Sequence, residues 1–164
     1  RKQFSADGYF WDQLGPERMA YLAQLPPETE AWISGVHFRF FHGRPVSPLL
    51  LAQTPKEEII PFFRAGGEVY GGLCFADSHR PFFRTLDVGY YMNTGSVGNS
   101  MGVPRAHFLL LEGEIDCHEP APLLATVVTV PYDNQAAAQL AREDPNLPHR
   151  EAYITEVLTG VYSR

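Results

Sequence analysis

The chain has 164 residues, 45% hydrophobic and 20% charged, with a formal net charge of −6 and no run of basic residues. This is the composition of one ordinary soluble globular domain, and it excludes a general nucleic-acid-binding surface, which needs a basic face. No apolar stretch approaches the roughly 20 residues of a membrane span and no signal peptide is visible, so no membrane role is expected and the cytoplasm is the expected compartment.

The chain opens Arg1-Lys2-Gln3, with its first methionine at Met19, so the numbering is expected to begin inside a longer protein. Phe10, Leu14, Met19, Leu22 and Leu25 give an approximate helical stripe over residues 9–25. Gly15-Pro16 interrupts it, and Pro26-Pro27 ends it. Residues 30–34 and 36–41 read as two strands around Ser34-Gly35, and His42-Gly43-Arg44-Pro45 ends the second. Thr54-Pro55-Lys56-Glu57 reads as a capping box opening a helix to about Ala65, with Pro61 as a kink or early end and Gly66-Gly67 as the stop.

Residues 68–75 read as a strand aimed at Ala76-Asp77-Ser78-His79. Further strands are expected at 82–86, 90–92, 105–111 and 123–130. Asp133 caps a helix over 134–142, and Pro148 opens a last one to about Leu158. Strands and helices so interleaved give an α/β or α+β fold in a single domain. Cys74 and Cys117 have no paired metal spacing and read as reduced structural thiols.

Three short segments carry the functional signal: Phe41-His42-Gly43-Arg44-Pro45, Ala76-Asp77-Ser78-His79-Arg80-Pro81 and Asn93-Thr94-Gly95-Ser96-Val97-Gly98. Each follows an apolar run. If those strands end on one sheet edge, two imidazoles and a carboxylate meet there, which begins a divalent-metal site. His37 and His107 alternate with strand residues and read as packed or exposed, and His118 and His149 lie in polar surroundings. None of the four is assigned a role.

The order of these segments resembles the calcineurin-like metallophosphoesterases, in particular their small bacterial and archaeal branch. There a strand ends in V-H-G-S-P, a later one in G-H-T-H-x-P, and N-P-G-S-V-G follows. The resemblance spans most of residues 10–160 and includes the flanks Leu22-Ala23-Gln24-Leu25-Pro26 and Pro104-Arg105-Ala106-His107-Phe108. It implies the second half of a four-layer α/β/β/α sandwich. It also implies hydrolysis of a phosphate mono- or diester by a water that one or two divalent ions activate.

By the same resemblance, His42 and His79 are metal ligands. Asp77 stands where the family has the first histidine of G-H-x-H, and its carboxylate shifts the preferred ion among Mn, Fe, Mg and Zn toward manganese. Arg44, Arg80, Asn93 and Ser96 are placed around a small phosphate-containing substrate, with Thr94 replacing the family's proline. The family's first-half segments, D-x-H, G-D-x-x-D and G-N-H-[DE], have no match here, and Asp7 and Asp12 stand in no such context. The histidine that protonates the leaving group is therefore outside this chain. About half a site is present, and the other half is expected upstream, from a partner segment or through self-association. The alternative is a degenerate, non-catalytic binding module that has kept the scaffold.

Overall fold

Alternation of side chains along a few short strands decides how this chain folds. The computed structural model describes residues 6–164. In chain order the elements are α1 (Ala6–Leu22), β1 (Glu28–Ile33), β2 (Val36–Phe41), α2 (Lys56–Ile59), β3 (Arg64–Ala65), β4 (Glu68–Val69), β5 (Gly72–Phe75), β6 (Phe82–Leu86), β7 (Gly89–Asn93), β8 (Ala106–Glu112), β9 (Leu124–Val130), α3 (Asn134–Glu143) and α4 (Arg150–Thr159). The main sheet has the order β1-β2-β5-β7-β6. Its centre is parallel, with β5 between β2 and β7, and both edge strands are antiparallel to their neighbours.

Successive residues of a strand face opposite sides of the sheet. On one side Phe41, Leu73, Phe75 and Tyr91 pack against Leu50, Ile59 and Phe63 from the segment that follows β2. On the other, Phe38, Cys74 and Met92 pack beneath Leu109, Leu111, Leu123 and Ala125, contributed by the antiparallel β8–β9 ribbon and the residue before β9. The central strands are therefore covered on both faces, as parallel strands require. α3 and α4 pack on each other through Ala138, Ala141, Ile154 and Val157. Asp133 caps α3 as expected, its carboxylate accepting from the Ala136 N–H at 2.9 Å. The fold is mixed α/β, and among the described residues no helix is long and apolar enough to cross a membrane.

Several local expectations change. α1 does break at Gly15, which is left-handed, but its stripe meets no core: Phe10, Leu22 and Leu25 are exposed. The helix expected over 54–65 stops at Ile59 and tightens into a 3-10 turn at Ile60–Phe63, because Pro61 has no N–H to continue the α-helical ladder. Thr54 does not cap it; its hydroxyl accepts from the Leu51 N–H instead. Gly66-Gly67 turns the β3–β4 hairpin, and the strand expected over 68–75 is split at Tyr70-Gly71. His37 is packed, stacked on Trp32 with ring centroids 4.6 Å apart.

Phe38 is fully buried at the centre of the sheet. Phe38→Ala is expected to destabilise the chain by about 3–5 kcal/mol, read from the urea midpoint. Burial in the same layer pushes the Cys74 thiol up to about 12. Iodoacetamide at pH 8 is expected to label the partly exposed Cys117 in the native protein and to reach Cys74 only after unfolding.

Candidate functional site

Because β2, β5 and β7 run parallel, the residues that follow them emerge on one edge of the sheet. The ladder continues past the strand ends: the Ala76 N–H donates to His42 O and the Thr94 N–H to Phe75 O, each at 2.8 Å. Asn93, fully buried, fastens two of the loops together. Its Nδ2 donates to Ala76 O at 2.5 Å and its Oδ1 accepts from the Gly95 N–H at 2.9 Å. Both polar atoms of Asn93 are thus engaged inside the chain, and its part is to support the site. Gly43 lies so close to the next loop that a Cβ there would stand 2.5 Å from Asp77 Cβ.

The three segments come to one edge of the sheet, but their side chains are divided between two adjoining clefts and are not gathered at one point. His42 and His79 line a cleft of about 330 Å³ together with residues of the glycine turn, among them Thr94 and Ser96. Asp77 and His79 line a second cleft, of about 490 Å³, with Arg44 and Arg80. His79 is common to both. Arg44 is largely exposed, and its Nε lies 4.0 Å from Asp77 Oδ2. Ser96 Oγ accepts from the Asn99 N–H at 3.1 Å, which folds the turn back on itself.

Asp77 and His79 do not sit on extended backbone, as the sequence reading assumed. Both are in the left-handed region, with φ of 63° and 57°. Asp and His are among the few side-chain-bearing residues that enter that region with any frequency. The tight bend at 76–79 follows directly.

His79 is held from behind. Its Nδ1 lies 2.8 Å from Asn99 O, and a carbonyl oxygen only accepts, so Nδ1 carries the proton and Nε2 the lone pair. Asn99 in turn donates from Nδ2 to Glu156 Oε2 at 2.8 Å. Glu156 lies on α4 and is fully buried. Burial opposes its ionisation, but the Asn99 amide, the Ser163 N–H and Arg164 outweigh it and hold the carboxyl below the usual range.

The donor chemistry suits a divalent ion. A histidine fixed through Nδ1 to a carbonyl is the usual arrangement behind an imidazole that coordinates through Nε2. His42 has no side-chain partner among the described residues. Asp77 Oδ2 is enclosed and accepts no hydrogen bond; its one charged neighbour among the described residues is Arg44 at 4.0 Å, which leaves it able to take a closer cation. Among the described residues, no three His, Cys, Asp or Glu side chains are grouped closely enough to hold a metal ion by themselves. The residues present therefore fit part of a metal site.

The residues that fasten the site were not visible in the sequence. Asn99 and Glu156 reach it through tertiary contacts, and nothing in their local motifs marks them; His107 stands in the flank Pro104-Arg105-Ala106-His107-Phe108, which by itself assigns it no role. His107 lines the same cleft as His42 and His79.

No protein-family model and no curated protein matches the chain. Solved structures do. A hypothetical protein from Pyrococcus horikoshii superposes with a TM-score of 0.73 at 24% identity, over 96% of this chain and 60% of its own. A metallophosphoesterase from Sphaerobacter thermophilus superposes with a TM-score of 0.64 at 21% identity, over 94% of this chain and 66% of its own. The chain thus spans less than two thirds of the length of either protein, and it has the fold of the metallophosphoesterase over nearly all of its own residues.

Asn93→Ala leaves Ala76 O and the Gly95 N–H without their partner in a buried setting, and is expected to cost about 1–3 kcal/mol in a denaturant titration. Glu156, with its pKa lowered by folding, stabilises the native state in its ionised form. That contribution is complete at neutral pH and fades as pH falls below about 4.5. The stability gap between wild type and Glu156→Gln is therefore expected to be wide at pH 7 and to narrow toward pH 3.

Proposed function

We propose that this chain, which has the calcineurin-like metallophosphoesterase fold, is the C-terminal portion of a metal-dependent phosphoesterase that hydrolyses a phosphate mono- or diester. What supports the reading is that His42, the 76–79 bend and the glycine turn 93–98 follow three parallel strands at one edge of the sheet, with His79 bordering both the cleft of His42 and the cleft of Asp77. His79 offers Nε2 as a lone pair because Asn99 O holds the other nitrogen. His42 offers its imidazole from the same cleft. Asp77 adds a carboxylate oxygen that accepts no hydrogen bond, and this hard donor favours manganese among Mn, Fe, Mg and Zn. His42, Asp77 and His79 would contribute ligands to a divalent ion, whose chemistry would be to lower the pKa of a coordinated water and to offset negative charge on the phosphoryl oxygens.

The protein's own groups then position the substrate. Arg44 and Arg80, at the mouth of the second cleft, supply charge-assisted hydrogen bonds to phosphate. Asn93 and Ser96 hold the glycine turn in place against the cleft, so that backbone is brought near the substrate. The remaining ligands and the group that protonates the leaving oxygen come from the rest of the protein or from a partner segment.

The competing reading is a binding module without hydrolysis, and it gains from the absence of a closed three-ligand cluster among the described residues. The full-length protein with Mn²⁺ and bis-(p-nitrophenyl) phosphate separates the two. Turnover is expected, and His42→Ala is expected to lower it by more than the roughly 10–100-fold that loss of a supporting residue costs. Turnover that is absent from the wild type, or unchanged in the variant, overturns the phosphoesterase reading.

A further inference from the structure

We propose that His107 reads a hydroxyl group on the substrate, so that the phosphate ester taken by this site is small and carries a free hydroxyl on its alcohol part. The proposal rests on the phosphoesterase reading and deepens it.

The argument is one of hydrogen-bond polarity. Ser100 Oγ lies 2.6 Å from Ser96 O, and a carbonyl only accepts, so the hydroxyl proton of Ser100 is directed there. Ser100 Oγ is then left to accept. Its other neighbour is His107 Nδ1, at 2.8 Å, which must therefore be the protonated nitrogen. In the neutral ring that makes Nε2 a hydrogen-bond acceptor.

Nε2 has no protein partner among the described residues, yet it is not sealed away. The enclosed side-chain atoms without a partner are His37 Nδ1, Asp77 Oδ2 and Asn99 Oδ1, and His107 Nε2 is not one of them. The residue as a whole is more than nine-tenths buried, and it borders two clefts, the one shared by His42 and His79 and a neighbouring one of about 340 Å³ with Ser78, Arg80 and Met101. A buried ring held in one tautomer, bordering a cleft and with no protein partner for its lone pair, calls for a donor from a ligand.

The surroundings narrow the ligand. The cleft is about 330 Å³, at the small end of ligand sites, and Val97, Phe108 and Leu109 give it an apolar wall. Gly95 keeps the ring in place: with φ of 75°, it passes so close that a Cβ would stand 2.8 Å from His107 Cβ. A metal ion is the other partner for such a lone pair, but the three imidazoles of this cleft are not grouped closely enough to share one. A hydroxyl near the phosphate fits the size, the polarity and the apolar wall together.

The test compares two substrates that differ by one hydroxyl, 3-hydroxypropyl p-nitrophenyl phosphate and propyl p-nitrophenyl phosphate, on the full-length protein with Mn²⁺. The wild type is expected to favour the hydroxylated ester by about tenfold in kcat/KM, chiefly through KM, as one hydrogen bond supplies. His107→Ala is expected to bring the ratio to about one, whatever its effect on the turnover of the propyl ester. Ser100→Ala, which keeps the ring but frees its tautomer, is expected to shrink the ratio. A ratio unchanged in both variants overturns the proposal while leaving the phosphoesterase reading intact.

If the wild type hydrolyses neither ester, the imidazole ¹⁵N resonances of His107 decide the matter without turnover. A change at Nε2 on adding the hydroxylated ester, and none with the propyl ester, sustains the assignment even as the hydrolase reading falls. No change with either ester overturns it, as does a change at Nε2 on adding Zn²⁺ alone, which makes the residue a metal ligand.

Discussion

Parallel pairing of β2, β5 and β7 is the constraint on which everything else at the site depends. Three antiparallel neighbours would send alternate strand ends to opposite edges of the sheet. Here all three point the same way, and His42, the 76–79 bend and the 93–98 turn are delivered within hydrogen-bonding reach of one another. Binding groups in open α/β sheets collect outside the carboxyl ends of such strands. The two apolar layers that cover the sheet keep the strands in register, so the same packing that stabilises the domain also sets the spacing of the site.

The loops would remain loose without a second set of contacts. Asn93 bridges the 76–79 bend and the glycine turn, Gly43 packs against Asp77, and the Met101 N–H donates to His79 O at 2.9 Å. Behind them Asn99 connects His79 to Glu156 on α4. A buried carboxylate is costly unless it is satisfied, and this one accepts from a side-chain amide, a backbone N–H and a guanidinium. The helix pair is therefore chemically attached to the imidazole that serves both clefts.

Much of this was legible along the chain. The strand ends could be read because each apolar run stops at a turn-forming residue: Gly43 after His42, the Asp77-Ser78 bend after Phe75, Gly95 after Asn93. The order of the three segments alone points to the fold. Other features were not legible, for physical reasons. The capping box at Thr54 was locally well formed, yet Pro61 and the demands of the core shortened the helix to one turn. Asp77 and His79 looked extended because left-handed backbone leaves no mark in a two-residue spacing. Asn99 and Glu156 gained their importance from partners 20 and 57 residues away, and no short window on the sequence contains such pairs; His107 gained its own from Ser100, which only the folded turn brings against the ring.

The left-handed conformation of residues 77 and 79 has one more consequence. A backbone of that shape admits glycine and short polar side chains with ease, and resists branched aliphatic ones. The bend thus acts as a filter on which amino acids can occupy the two positions, and most of those it admits at no great strain are also able to coordinate a cation. A change between imidazole and carboxylate at residue 77 passes through that filter with the main chain undisturbed. The shape of the peptide, more than the identity of either side chain, is what keeps a ligating group within reach of the cleft.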